Sequence, residues 1–157
     1  RTLEQLLVEV SALRNEGKRI VFANGCFDLL HPGHVSLLSR AAELGEFLIV
    51  AVNDDESVRR LKGPSRPVQN VDMRADMLAA LGCVGAVVVF GDDTAVGLVR
   101  AIRPDILVKG DQYVPDRVPE AVAMAEIGGR VEWLSVVEGQ STTANIARLS
   151  GERLPQH

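Results

Sequence analysis

The sequence predicts an α/β fold: a Rossmann-like, three-layer α/β/α arrangement around a parallel sheet of about five strands. Apolar runs with strand character alternate along the chain with segments of helical periodicity, the pattern of strands joined by crossover helices. Apolar residues make up 46% of the chain but aromatic residues only 4%, so we expect an aliphatic core of the kind found in α/β layers. At 157 residues, we expect a single domain spanning 1–157.

Each element has a local signal. Thr2 and Gln5 resemble a capping box ahead of apolar residues at helical spacing, and Gly17 supplies a stop for that first helix. Phe47–Asn53 is a continuous apolar run, which is typical of a strand buried on both faces. The same two periodicities predict further strands at 19–24, 86–90, 105–109 and 130–134, and further helices at 34–44, 72–81, 94–102, 119–127 and 142–149.

Residues 62–70, KGPSRPVQN, form a polar, proline-bearing gap between elements. The gap is too short for a domain linker, so we interpret it as a functional loop that closes over a ligand. Lys62 belongs to a basic cluster, RRLKGPSR, which by itself could be a solvated patch of charge. Its position beyond the second strand favours contact with phosphate.

Polar and glycine residues follow several of the predicted strands. In a parallel sheet, ligands bind where the carboxyl ends of the strands meet helix N-termini. The sequence therefore predicts a site at that edge. The segments that converge on it are 25–34, GCFDLLHPGH; Asn53-Asp54 with Lys62; Lys109-Gly110-Asp111; and 139–143, GQSTT.

The HPGH turn at 31–34 contains two of the three histidines of the chain. Gly33 allows a ligand to approach the backbone, and the start of the following helix offers free N–H groups and a positive dipole end. These features suit a polyphosphate, whose charge His31 and His34 could stabilise in a transition state. Metal binding and simple helix capping are the alternatives that the residues leave open.

Other side chains at this edge also allow two interpretations. Ser141, Thr142 and Thr143 could cap the last helix or contact phosphate. Asp28 could orient a neighbour or close the turn, and Cys26 is more typical of a packing residue than of a nucleophile. The chain contains neither GxGxxG after the first strand nor GxxxxGK[ST], which disfavours a dinucleotide-binding oxidoreductase and a P-loop phosphotransferase.

The net charge of −4 argues against a general nucleic-acid binder, since such proteins usually carry a basic excess. No apolar run reaches membrane-spanning length, and no basic-then-apolar leader is present. Cys26 and Cys83 form no metal or redox motif, so we expect no metal site built from protein side chains. These features lead us to expect a reduced, cytoplasmic protein without nucleic-acid or membrane partners.

The motif GCFDLLHPGH resembles the HxGH signature of the nucleotidyltransferase superfamily that includes the cytidylyltransferases. RLKGPSRPV, RPDILVKGDQY and VEGQSTTANI follow it in the order found in that superfamily. The chain is most similar to the heptose 1-phosphate adenylyltransferases, a domain often fused to a ribokinase-like kinase. We expect the stand-alone form.

The resemblance implies that a nucleoside triphosphate and a sugar 1-phosphate give a nucleotide-sugar and pyrophosphate, assisted by Mg²⁺. The preferred substrates would be ATP and heptose 1-phosphate, and the product ADP-heptose. Glycerol-3-phosphate cytidylyltransferases share HxGH and STT, so a CTP-dependent polyol-phosphate enzyme is the alternative. This chain also reads KGDQY at 109–113 where related sequences often read KGGDY, which leaves the choice of base open. The resemblance favours a homodimer.

The resemblance also implies residue roles. His31, His34 and Lys62 would act on the triphosphate and its transition state, while Asp28 and Asp54 would face the acceptor. Arg74 would support phosphate or subunit contacts. The nucleotide-binding residues would be Asn24, Gly25, Cys26, Phe27, Gly33, Lys109, Gly110, Asp111, Ser141, Thr142 and Thr143.

Overall fold

The computed structural model describes residues 1–111, 113 and 115–135 of the chain. The strands in these ranges form one sheet in the order β3-β2-β1-β4-β5, and every neighbouring pair is parallel. This confirms the predicted sheet, with each strand within one residue of its expected bounds. The strands are β1 (Ile20–Gly25), β2 (Phe47–Asn53), β3 (Ala86–Phe90), β4 (Ile106–Gly110) and β5 (Arg130–Leu134).

The described ranges contain six α-helices, of which the first precedes β1 and the other five lie in the connections between strands. None of them combines the length and apolar character needed to cross a bilayer. The helix predicted at 142–149 lies outside the described residues. The helices are α1 (Leu3–Asn15), α2 (Pro32–Ala42), α3 (Asp55–Lys62), α4 (Val71–Ala79), α5 (Val96–Ile102) and α6 (Pro119–Glu126).

Helix α3 was not predicted, and it changes the position of Lys62, which ends this helix rather than opening a loop. The sequence DESVRRLK buries only Ser57 and Val58, so its apolar periodicity is too weak to detect. Caps define the helix instead: Asp54 accepts a hydrogen bond from the backbone N–H of Ser57, and Gly63 ends the helix with a φ of 104°. The loop proper therefore begins at Gly63.

The core consists of two apolar clusters, one on each face of the sheet. Alternate residues of β2 supply both, since Ile49 and Ala51 belong to one cluster while Val50 and Val52 belong to the other. The first cluster packs the sheet against α1, α5 and α6, and the second packs it against α2 and α4. The three-layer arrangement is confirmed, and so is the prediction of a strand buried on both faces.

Candidate active site

The strand order places a topological switch point between β1 and β4. The connections that leave these two neighbouring strands diverge to opposite faces of the sheet, because α2 packs in one cluster and α6 in the other. A crevice opens beyond the carboxyl ends of strands at such a point, and ligands of open α/β sheets bind in it. The turn at 26–31 follows β1, and the segment from Asp111 follows β4, so the expected site residues border this crevice.

His31 and His34 form a reciprocal cap at the start of α2. The Nδ1 atom of His31 accepts hydrogen bonds from the backbone N–H groups of Gly33, at 3.1 Å, and of His34, at 3.4 Å. In return, the Nδ1 atom of His34 accepts from the backbone N–H of His31 at 3.3 Å. The arrangement is a capping box built from imidazoles, with Pro32 at the first helical position.

This cap fixes the tautomer of both rings. Because each Nδ1 accepts a hydrogen bond, each neutral ring carries its proton on Nε2. Burial lowers the pKa of His31, while burial together with the neighbouring His31 lowers the pKa of His34 to about 4. The two rings stack with their centroids 3.7 Å apart. Near neutral pH the turn thus holds two parallel, uncharged imidazoles whose Nε2–H groups donate to no described residue.

Phe27 is a second ring in contact with His34. Its ring lies edge-on to the His34 imidazole, with 5.4 Å between centroids, and is buried in the cluster below. A Cβ at Gly25 would come within 3.2 Å of the Phe27 ring, so the absence of a side chain there lets the ring sit at the end of β1. Phe27 and Leu29 both have φ near +50°, a conformation that costs energy in non-glycine residues and is found at functional sites.

Asp28 joins this turn to the loop after α3. Its buried carboxylate accepts hydrogen bonds from the backbone N–H groups of Val68, at 2.8 Å, and Gln69, at 3.0 Å, and from Nε of Arg66, at 3.0 Å. In return, Oε1 of Gln69 accepts a hydrogen bond from the backbone N–H of Leu29 at 3.3 Å. Burial acts to raise the pKa of Asp28, but these donors outweigh it and the pKa is lowered. We call residues 66–69, held in this way, the anchored loop segment.

Arg74 lies beneath the site rather than in it. Its side chain is fully buried, and its Nη1 donates to the carbonyls of Cys26, at 2.7 Å, and Asn53, at 2.8 Å. Nε and Nη2 donate to the carbonyl of Gln69 and to the carboxylate of Asp55. These bonds hold Arg74 within the chain, and the phosphate or subunit contacts that the resemblance implied for it stay a prediction.

Two further expected residues lie at the end of β2 and in α3. Asp54 caps α3, and although burial acts to raise the pKa of its carboxyl, hydrogen bonds from Ser57 lower it overall. Lys62 projects from the last turn of α3 and is exposed. Burial raises the pKa of the Cys26 thiol, and the positive charge of Lys62 acts in the opposite direction. This effect places the cation near the β1 turn, while its contact with phosphate stays a prediction.

Lys109 is the residue before the last of β4, on the other side of the crevice. Its side chain is largely buried, which lowers the pKa of the ammonium group, and its Nζ lies 5.4 Å from the centre of the Tyr113 ring. Gly110 is buried and pairs with Leu134, while Asp111 is exposed. Burial also raises the pKa of Tyr113. Lys109 and Tyr113 thus form a cationic and aromatic wall of the crevice.

Sequence reasoning missed Glu120, which is buried in the first turn of α6. Its Oε1 accepts from the backbone N–H of Ala95 at 3.0 Å and from Nδ2 of Asn24 at 3.3 Å. These bonds turn the Asn24 amide so that its buried Oδ1 has no partner among the described residues. An acidic residue in the first turn of a helix normally complements the helix dipole, so nothing in the sequence marked Glu120 as part of the site.

The structure thus gathers His31, His34, Asp28 and the neighbourhood of Lys62 around one turn, with Asn24 on β1 below it and Lys109 on β4 across the crevice. Ser141, Thr142 and Thr143 lie outside the described residues. Within the described part of the chain, no three histidine, cysteine, aspartate or glutamate side chains come together as a metal-ligand group.

Comparison with known proteins identifies the family of the chain. The family model described as "Cytidylyltransferase-like" matches residues 22–148. The bifunctional protein HldE of Syntrophotalea carbinolica is 49% identical over 95% of this chain, and that of Gluconobacter oxydans is 50% identical over 90%. The chain spans only about 30% of the length of these curated relatives.

Solved structures show the same fold. A lipopolysaccharide core biosynthesis protein from Thermoplasma volcanium GSS1 matches 77% of this chain and 98% of its own, with 26% identity and a TM-score of 0.62. A pantoate-beta-alanine ligase from Francisella tularensis is similar in fold, with a TM-score of 0.56 at 13% identity. Because the family model covers most of the chain, including the HxGH turn and both strands of the crevice, the protein belongs to the cytidylyltransferase-like family.

Proposed function

We propose that the protein is a nucleotidyltransferase that converts a nucleoside triphosphate, preferably ATP, and a sugar 1-phosphate, preferably heptose 1-phosphate, to a nucleotide-sugar and pyrophosphate. The observation that carries the proposal is the histidine cap at the N-terminus of α2, with both Nε2–H groups left as donors. The preference for a heptose is supported by the similarity to HldE proteins and to a lipopolysaccharide core biosynthesis protein.

The proposed reaction is a single displacement. An oxygen of the acceptor's phosphate attacks the α-phosphorus of the triphosphate and forms a new P–O bond. The bond from the α-phosphorus to the oxygen that bridges to the β-phosphorus breaks, and pyrophosphate leaves with that electron pair. The attacking phosphate oxygen is already an anion, so the step needs no base to remove a proton.

The chain's own groups would stabilise the charge that moves in this step. Neutral imidazoles donate hydrogen bonds without losing a proton, and the N-terminus of α2 adds its dipole. Lys62, at the end of α3, would bring a mobile positive charge to the phosphates, and Thr142 and Thr143 would hold the terminal phosphates. Asn24 and Lys109 would border the nucleoside in the crevice.

Mg²⁺ would take part by neutralising the triphosphate. This ion binds oxygen ligands and commonly keeps the phosphates of its substrate together with only one or two carboxylates. The lack of a three-ligand group among the described residues fits an ion carried by the triphosphate rather than one held in a protein cage.

We also propose that the enzyme is a homodimer. Val68, Met73 and Met77 form an exposed apolar surface on and beside α4, and such a surface suits a self-complementary contact between two copies. Size-exclusion chromatography with light scattering measures the state directly. A monomer at micromolar concentration would reject this part of the proposal.

A cytoplasmic location completes the proposal. Cys26 and Cys83 are both free thiols, which fits a reducing compartment. Fractionation of cells producing the full natural protein, with immunodetection, tests the location.

A pyrophosphate-release assay that crosses ATP, CTP, GTP and UTP with heptose 1-phosphate, other sugar 1-phosphates and glycerol 3-phosphate tests the reaction. We expect the highest kcat/KM with ATP and a heptose 1-phosphate. Faster turnover of CTP with a polyol phosphate would replace the proposed substrates, and release with no pair would reject nucleotidyl transfer.

A further inference from the structure

We propose that Arg66 binds the phosphate of the acceptor, and that Asp28 is the positioning residue that aims it. This inference rests on the proposed function, because it assigns one substrate of that reaction to one side chain. The sequence had placed Asp28 itself on the acceptor side and had assigned no role to Arg66 beyond membership of a basic cluster.

The first step of the argument is the state of the Arg66 guanidinium. Its side chain is only 11% exposed, and its Nε is bound to a carboxylate that is wholly buried. Among the residues that the structure describes, none accepts a hydrogen bond from its Nη1 or Nη2 amines. The terminal amines are not among the buried, unpartnered side-chain atoms of the described residues, so they face solvent and are open to an anion while Nε is held in place.

The second step is the geometry of the fork. A carboxylate at Nε orients the guanidinium plane and leaves both terminal amines to present parallel N–H groups. Two parallel N–H donors match two oxygens of a phosphate, which is why arginine binds phosphate in bidentate fashion. Asp28 is itself fixed by the backbone N–H groups of Val68 and Gln69, so the fork is held rigidly on the anchored loop segment.

The third step is the location. Nε of Arg66 lies 3.0 Å from Oδ2 of Asp28, a residue of the turn after β1, so the guanidinium lies at that turn. The positive charges of Arg66, Lys62 and Arg74 each also act to lower the pKa of the Cys26 thiol in the same turn. Among the described residues, every guanidinium nitrogen of Arg74 donates to a group of the chain, whereas the two terminal amines of Arg66 donate to none. The anchored loop segment follows β2 and α3, whereas the nucleoside crevice lies between β1 and β4. An anion on Arg66 therefore sits on the side of the turn away from the nucleoside, where the acceptor enters.

Binding measurements on Arg66→Gln test the inference without relying on turnover. Isothermal titration calorimetry is run with heptose 1-phosphate, with inorganic phosphate and with α,β-methylene-ATP. We expect the Kd for heptose 1-phosphate and for inorganic phosphate to rise at least about tenfold, as for loss of a charge-assisted pair. The Kd for the ATP analogue should change by less than about threefold. Arg66→Lys, which keeps the charge but not the fork, should fall between the wild type and Arg66→Gln.

Arg60→Gln is the matched control, because it removes the same charge from an exposed arginine paired with Asp93. It should leave all three affinities unchanged. Asp28→Asn should weaken binding of heptose 1-phosphate in the same direction as Arg66→Gln, because it releases Nε and frees the fork to turn. A matching loss of ATP-analogue affinity in Arg66→Gln would assign the fork to the triphosphate and overturn the inference. Unchanged affinity for all three probes would make Arg66 a purely structural anchor.

The outcomes also separate this inference from the proposed function. If wild-type protein binds inorganic phosphate through Arg66 but not heptose 1-phosphate, the proposed acceptor is wrong while the anion site stands. If heptose 1-phosphate is turned over normally by Arg66→Gln with an unchanged KM, the site assignment fails while the proposed function stands.

Discussion

His34 serves two purposes with one imidazole ring. Nδ1 caps the backbone of α2, and the tautomer fixed by that bond puts the proton on Nε2. From the sequence, capping and phosphate binding were alternatives. The structure shows the cap, and phosphate binding stays a prediction that depends on it, because the cap determines which nitrogen carries the proton.

Two substitutions of His34 separate these purposes. Asparagine places its Oδ1 near the position of Nδ1 and keeps the cap, whereas glutamine reaches toward the position of Nε2 and keeps a donor. We expect His34→Asn to unfold near the wild-type temperature but to lose roughly 10²–10³ in single-turnover rate. His34→Gln should lose about 1 kcal/mol of unfolding free energy and keep more of the rate. Normal turnover by His34→Asn would show that the ring acts only as a cap.

The low pKa of His34 makes stability depend on pH. The folded pKa is about 4 and the ordinary value is 6.5, so the unfolded chain takes up a proton first as the pH falls. The contribution of neutral His34 to the free energy of unfolding amounts to about 3 kcal/mol. It is complete above pH 6.5 and declines between pH 6.5 and about 4. Urea unfolding from pH 7.5 to 4 should show that the free energy of unfolding of wild type falls across this window by about 3 kcal/mol more than that of His34→Asn. An NMR titration giving His34 a pKa near 6.5 would contradict the prediction.

At the scale of elements, the sequence was sufficient where periodicity or a cap acts locally, and insufficient where contacts join distant segments. The strands and most helices were predicted because each buries its own apolar stripe. The bonds of Asp28 span about 40 residues of sequence, and nothing near Asp28 indicates that Val68 and Gln69 complete its hydrogen bonds. Helix α3 was missed because it is short and polar and so shows little apolar periodicity. The capping residues at its two ends, Asp54 and Gly63, are the features of the sequence that indicate it.

Arg74 binds four residues outside its own helix, so its replacement tests whether it acts inside the chain. In Arg74→Met the carbonyls of Cys26 and Asn53 lose their donors, and Asp55 loses its cation. We expect a loss of about 3–5 kcal/mol in unfolding free energy, measured by urea denaturation. Arg100→Met, at an exposed ion pair with Glu126, should stay within about 0.5 kcal/mol of wild type. A stable Arg74→Met with weakened substrate binding would instead support the phosphate contact implied by the resemblance.

At the scale of the whole molecule, the carboxyl and amino edges of the sheet have different roles. The carboxyl edge gathers the histidine cap, the anchored loop segment and Lys109. At the amino edge, the backbone of Asp105 pairs with Ile20 while its carboxylate accepts the N–H of the same residue at 2.7 Å. Arg14 closes the end of α5 by donating to the carbonyls of Ile102 and Arg103. The polar groups named at the amino edge are therefore engaged in hydrogen bonds within the chain.

This division predicts that a change at the amino edge affects stability without affecting chemistry. Asp105→Ala leaves the N–H of Ile20 without its side-chain acceptor, at a cost of about 1–3 kcal/mol. The strands separate this position from the carboxyl edge by about 17–20 Å, so kcat and both KM values should stay within about twofold of wild type. Asp105→Asn keeps an acceptor and should melt near the wild-type temperature. Melting curves and steady-state kinetics at 25 °C measure both quantities. If Asp105→Ala instead loses turnover while remaining as stable as wild type, the two edges are coupled through β1 and β4, and the separation of roles along the sheet is wrong.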